Sequence, residues 1–172
     1  EIYNYKELRT ELESLGYKFL TDSDSEVLLV FWQHWGLNSL SRLSGMFAFA
    51  VYDKFDNSLT LVRDAFGIKP LFYQNDSEGF KFASEISALL SLIKKVPDTN
   101  VQRAYDYLVL GNYDNNSETF YEGIHHLSPG HFLRVDLKTS KFENPKCWWQ
   151  PNTQQRNDLT FNSAAEELRE IF

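Results

Sequence analysis

The residue pattern predicts an α+β protein built of packed layers, and three observations carry that prediction. Helical spacings and strand alternations arrive in separate blocks, as layered α+β folds require, and not as a strict succession of strand and helix. Met46 to Tyr52 is apolar at both alternating sets of positions, the pattern of a strand covered on both sides. Two polar turns, Lys54 to Asn57 and Asn75 to Gly79, each separate runs suited to antiparallel pairing.

Composition sets the outer limits. The 172 residues are 42% hydrophobic and 16% aromatic, enough for one sizeable core. A net charge of -7, with 24 acidic against 17 basic side chains, repels a phosphate backbone, and no basic run exceeds Lys94-Lys95. Nucleic acid is therefore not an expected partner. The longest apolar run, Val27 to Trp32, is far short of the roughly twenty residues that cross a bilayer, so no membrane partner is expected either. The single cysteine permits no internal disulfide, which suits a reducing, cytoplasmic location.

Each element has a local cause. Asn4 and Glu7 stand at capping-box spacing before Tyr5, Leu8, Leu12 and Leu15, which recur at helical intervals up to Gly16. Ser23 and Glu26 repeat the device before Val27, Leu28, Phe31 and Trp35, and Gly36 is placed to end the helix. Met46 to Tyr52 and Ser58 to Val62 then form a hairpin expected to be central. Pro70 cannot donate a ladder hydrogen bond and Gly67 tolerates positive φ, so Asp64 to Pro70 is expected to be a fixed loop. Leu71 to Tyr73 and Phe80 to Ala83 give a second hairpin. Ser84 is the expected cap of a helix through Ile86, Leu89 and Leu90, and Asp98 or Thr99 of one through Val101, Ala104, Tyr105 and Leu108. After the turn Ser128-Pro129-Gly130, His131 to Asp136 and Lys141 to Phe142 read as a late hairpin. Gln150 to Asp158 is polar and holds no large aliphatic residue, so 150–159 is expected to be a linker. Residues 160–172 then open a helix with Leu168 and Ile171 on one stripe.

Four blocks together resemble a known family: Glu1-Ile2-Tyr3-Asn4, Leu43 to Asp53, Leu61 to Tyr73 and Phe82-Ala83-Ser84-Glu85-Ile86. They are similar to the glutaminase domain of glutamine-hydrolysing asparagine synthetases, a class II glutamine amidotransferase, and Thr119 to Ile124 with Leu127 to His131 extends the likeness over most of 1–136. The resemblance implies a four-layer αββα sandwich of the N-terminal-nucleophile hydrolase type, lacking its first strands. It implies a glutaminase domain over 1–149, and a first helix of a synthetase domain over 160–172. Glu1 begins without Met, and Phe172 ends an apolar stripe without a cap, so a fragment truncated at both ends is expected.

In that family a terminal cysteine attacks the glutamine amide with its own α-amine as base, and an asparagine side chain and a glycine N–H hold the oxyanion. By resemblance these groups precede the position matching Glu1, so no catalytic residue is assigned here and the fragment is expected to be inactive. Glu1 matches the acidic residue of the family motif. Asp24 matches the aspartate that receives the glutamine α-ammonium, while its place at a helix start also suits capping. Glu1 and Asp24 are thus the expected glutamine-binding residues. The same likeness implies ammonia passed to a β-aspartyl adenylate in a synthetase domain that would use ATP and magnesium, with no cofactor or metal held by this chain.

Other candidates weigh less. Arg63 and Asp64 are expected to pair and brace their loop, and Lys69 to be solvated. Cys147, beside Trp148 and Trp149, is expected to be packed and inert. His125, His126 and His131 have no partners at ligand spacing, and Trp32 and Trp35 are expected in the core. Two alternatives stand beside the asparagine synthetase reading: an amidotransferase acting on another carboxylate such as a sugar acid, and a non-catalytic glutaminase-like module. Unpaired sheet edges and apolar surface suggest self-association, for instance as a homodimer.

Overall fold

The computed structural model describes residues 1–113, 115–139 and 141–171; Phe172, which closes the predicted last helix, lies outside the described residues. In chain order the helices are α1 (Tyr5–Ser14), α2 (Asp24–Trp35), α3 (Ile86–Ser91), α4 (Val101–Leu110) and α5 (Phe161–Ile171), with a 3-10 helix over Gly36–Arg42. The strands are β1 (Ala48–Asp53), β2 (Ser58–Arg63), β3 (Phe72–Asp76), β4 (Gly79–Ala83), β5 (Ile124–His126), β6 (His131–Asp136), β7 (Lys141–Phe142) and β8 (Lys146–Cys147).

Two antiparallel sheets result. The first runs β1-β2-β6-β7, with β8 also on β6, and the second runs β4-β3-β5. Register in the first sheet sets Phe49 opposite Val62 and Leu61 opposite Leu133. Because side chains alternate along a strand, Val62 and Leu61 serve two different layers. Val62 and Phe47 join Leu8 and Leu12 of α1 and Val27 and Phe31 of α2. Leu61 and Leu133 instead meet Leu71, Tyr73 and Leu127 between the sheets, where Ala48 lets them approach. α3 packs on β4 and β3 and buries Leu89 completely. The layers are therefore helix, sheet, sheet, helix. Each fully buried leucine contributes roughly 1.5–3 kcal/mol of transfer free energy, so both interlayer cores are needed.

Several local expectations are corrected. Asn4 does not cap α1 with its side chain; its Nδ2 donates to Arg42 O (2.8 Å) and its Oδ1 accepts from Ser44 N (3.0 Å), pinning the approach to β1. Ser23 does cap α2, accepting from Ser25 N, while Glu26 reaches past it to Thr21 and Leu20. Ser84 precedes the cap of α3, which is Glu85, and α4 is capped by Asn100 through Arg103 N. β1 is not the doubly covered strand: Ala50 and Tyr52 are exposed, and the buried position falls to β2 between β1 and β6. The stripe Val101, Tyr105, Leu108 on α4 faces outward, and Arg103 is the residue that α4 buries. Its guanidinium reaches Asp106 Oδ2 (3.1 Å) and Tyr113 O (2.7 Å), so polar anchoring replaces apolar docking there.

Trp32 and Trp35 pack half-buried against the first core. Residues 150–160 contain no helix or strand, and Thr160 and Ser163 cap α5 reciprocally through their hydroxyls. Among the described residues no helix is long and apolar enough to cross a membrane.

Candidate active site

Gly45 brings the start of the chain to the first sheet. It adopts φ 154°, and a Cβ built there falls 2.3 Å from Glu1 O, so only glycine permits the approach. The nitrogen of Glu1 donates to Met46 O (2.8 Å), Met46 N returns a bond to Glu1 O (3.1 Å), and Ile2 bridges to Gly45. From there Ile2 N donates to Asp24 Oδ2 (3.0 Å) at the first turn of α2. One carboxylate thus sits at a helix N-terminus, where the dipole favours it, and is also tied to the segment carrying the other.

Glu1 and Asp24 line a single cleft of about 300 Å³. Leu28, Phe47, Ala48 and Phe49 give it an apolar wall, and Lys69, Pro70 and Ser84 complete the lining. Its charged side chains are two carboxylates and one ammonium. A ligand ammonium 4 Å from one carboxylate gains about 4 kcal/mol at an effective dielectric of 20, before its own desolvation is subtracted. The apolar wall suits a short aliphatic stem, and the volume suits a small metabolite. Asp24 is the first residue of α2, whose cap is Ser23, and it lines the cleft.

The loop from Asp64 to Pro70 is the rigid piece of this site. Asp64 is fully buried, and its carboxylate accepts from Phe66 N (3.1 Å), Ile68 N (2.9 Å), Lys69 N (3.0 Å) and Phe47 N (3.3 Å). Arg63 donates to Lys69 O (2.8 Å), Gly67 O (2.7 Å) and Leu127 O (2.6 Å). The two side chains brace the loop, as expected, but through its backbone. Sequence reasoning did not place Lys69 or Ser84 at the cleft. The turn spacing Asp64-x-x-Gly67 was the available signal, because an aspartate there collects the N–H groups that follow it.

Cys147 is exposed and not packed, a correction that follows from its place on the two-residue strand β8. Its thiol donates to Trp149 O (3.1 Å) and lines a different cleft, with Leu37, Ser41, Phe132 and Trp148. His125 and His126 share strand β5; His125 lies against the Tyr73 ring, and Arg63 meets His126 Nδ1 at 3.1 Å.

The two stacked antiparallel sheets, flanked by helices, and the carboxylate cleft define the class. Residues 1–149 match the glutamine amidotransferase domain, and the chain belongs to that family. Its fold is that of the N-terminal-nucleophile hydrolases: glutamine phosphoribosylpyrophosphate amidotransferase from Bacillus subtilis, solved with ADP and GMP, superposes with a TM-score of 0.59 over 87% of this chain and 28% of that one, at 22% identity. Among curated relatives, asparagine synthetase [glutamine-hydrolyzing] 2 of Bacillus subtilis is 38% identical over 99% of this chain and 23% of its own length. Asparagine synthetase [glutamine-hydrolyzing] 1 of the same organism is 52% identical over 52% of this chain and 14% of its own. The chain thus spans less than a quarter of the length of these relatives.

Proposed function

We propose that this chain is the glutamine-binding domain of a glutamine-hydrolysing asparagine synthetase. The observation that carries the reading is the convergence of Glu1 and Asp24 on one cleft within a glutamine amidotransferase domain. Asp24, held by Ile2 N and set at a helix N-terminus, receives the substrate α-ammonium; Glu1 adds the second negative charge. The methylene stem lies along Leu28, Phe47 and Phe49, and Lys69 also lines the cleft.

In this proposal the amide is hydrolysed to glutamate and ammonia, and the ammonia amidates aspartate in a synthetase domain. Residues 150–159 act as the linker, and 160–172 as that domain's first helix. The thiol nucleophile comes from outside these residues, since Cys147 lies in another cleft. ATP and magnesium would belong to that synthetase domain, and no step is routed through them here.

Titration of the 15N-labelled chain with L-glutamine tests the reading. Amide shifts at Ile2, Asp24, Ser25 and Phe47 are expected, with no glutamate released. Saturating glutamine that leaves those amides unmoved overturns the binding assignment. Steady glutamate release that a thiol reagent stops overturns the placement of the nucleophile.

A further inference from the structure

We infer that Asp64 is the positioning residue of this cleft, acting through two of its lining segments without touching the substrate. Every link is a hydrogen bond in which a backbone group takes part. On one side Asp64 Oδ2 accepts from Lys69 N at 3.0 Å, and the carbonyl of that same residue is held by Arg63 Nε at 2.8 Å, so Lys69, the residue before Pro70, is gripped through both its N–H and its C=O. On the other side the same Oδ2 accepts from Phe47 N at 3.3 Å, and Asp64 N donates to Phe47 O at 2.8 Å. Phe47 follows Met46, which exchanges bonds with Glu1, and the next residue, Ile2, donates to Asp24. One carboxylate oxygen therefore joins Lys69 and Pro70 to the segment that carries Glu1 and aligns Asp24.

The chemistry explains why an aspartate is required. A carboxylate only accepts, and four N–H groups converge on this one: Phe66 and Ile68 on Oδ1, Phe47 and Lys69 on Oδ2. Asparagine has the same shape but offers one oxygen and one NH2. Whichever way its amide turns, a donor faces two donors in a site where Asp64 is fully buried, and unsatisfied buried groups are costly. If the oxygen stays with Phe66 and Ile68, the loop keeps its turn and the two lining segments part. Arg63→Lys is the complementary perturbation, because a single ammonium cannot reproduce the guanidinium fork on Lys69 O, Gly67 O and Leu127 O.

This inference rests on the glutamine reading for its substrate, so the experiment separates the two. Glutamine affinity and amide spectra are measured for the parent chain, Asp64→Asn and Arg63→Lys, with Leu89→Ala, a fully buried α3 residue that does not line the cleft, as a control for lost packing. Asp64→Asn is expected to raise the glutamine Kd at least about tenfold, and Arg63→Lys by a smaller factor, while the control keeps the parent value within about twofold. Folded Asp64→Asn with an unchanged Kd overturns the inference. So does an unchanged Kd in Arg63→Lys, which stands alone should the asparagine variant not fold. If the parent itself binds no glutamine, the functional reading fails. Positioning is then decided by the spectra: joint displacement of the Phe47 and Lys69 amides supports it, and displacement of Lys69 alone overturns it.

Discussion

Replacing Asp24 with asparagine separates the proposed ammonium recognition from the carboxylate's structural place at the start of α2, where Ser23 is the cap and Asp24 is the first helical residue. Its Oδ2 accepts from Ile2 N, a bond that an asparagine oxygen preserves. The negative charge in the first turn of α2 is lost, at a cost of about 0.3–1 kcal/mol. For a domain of this size that lowers the melting temperature by only about 1–4 °C. A charge-assisted bond to a ligand ammonium is larger, about 1.5–3 kcal/mol, which corresponds to a roughly 10- to 150-fold weaker Kd. Calorimetric titration with L-glutamine and with its analogue lacking the α-amino group makes the test specific. The parent chain is expected to prefer glutamine by roughly that factor, and Asp24→Asn to bind both ligands alike. Equal loss of affinity for both ligands, with the preference intact, refutes the assignment of Asp24 to the ammonium.

Two further outcomes follow from the geometry. Gly45→Ala places a Cβ 2.3 Å from Glu1 O at φ 154°, so a loss of about 1–3 kcal/mol is expected, seen as a melting temperature lowered by roughly 2–12 °C; an unshifted thermal transition contradicts the close packing of Glu1. The hydroxyl of Thr21, followed by Leu20 N, holds the Glu26 carboxyl below its ordinary range. Its contribution is therefore complete above the ordinary glutamate value and fades as pH falls through the lowered one, so Glu26→Gln is expected to lose less stability than the parent between about pH 6 and about pH 3 in urea melts. Parallel losses in the two proteins contradict it.

The fold was legible wherever one residue type forces one geometry. Apolar alternation and polar turns located both hairpins, and Gly67 with Pro70 marked a loop that Asp64 indeed stiffens. Periodicity failed at α4, where Val101, Tyr105 and Leu108 read as a core stripe yet Arg103 is what the helix buries. A hydrophobic period shows that a face exists, not that this stretch of chain covers it. The caps of α3 and α4 were misplaced by one or two residues because Ser84, Asp98 and Thr99 are all chemically able to cap; at α1 Asn4 holds the expected cap position but spends its side chain on Arg42 O and Ser44 N. For the site, the residues matched to a known motif, Glu1 and Asp24, met in one cleft. Lys69 and Ser84 were read as a solvated cation and a helix cap and not as lining, since a local turn signal shows that the loop is fixed but not which cleft it reaches.

The indole of Trp148 stacks on Phe47 with ring centroids 6.1 Å apart and donates to Arg63 O at 3.1 Å. A wall residue of the cleft therefore leans on a side chain a hundred positions later in the chain. Cutting the polypeptide anywhere ahead of Trp148 pulls a wedge from behind the cleft, so the shortest version worth expressing must run through it.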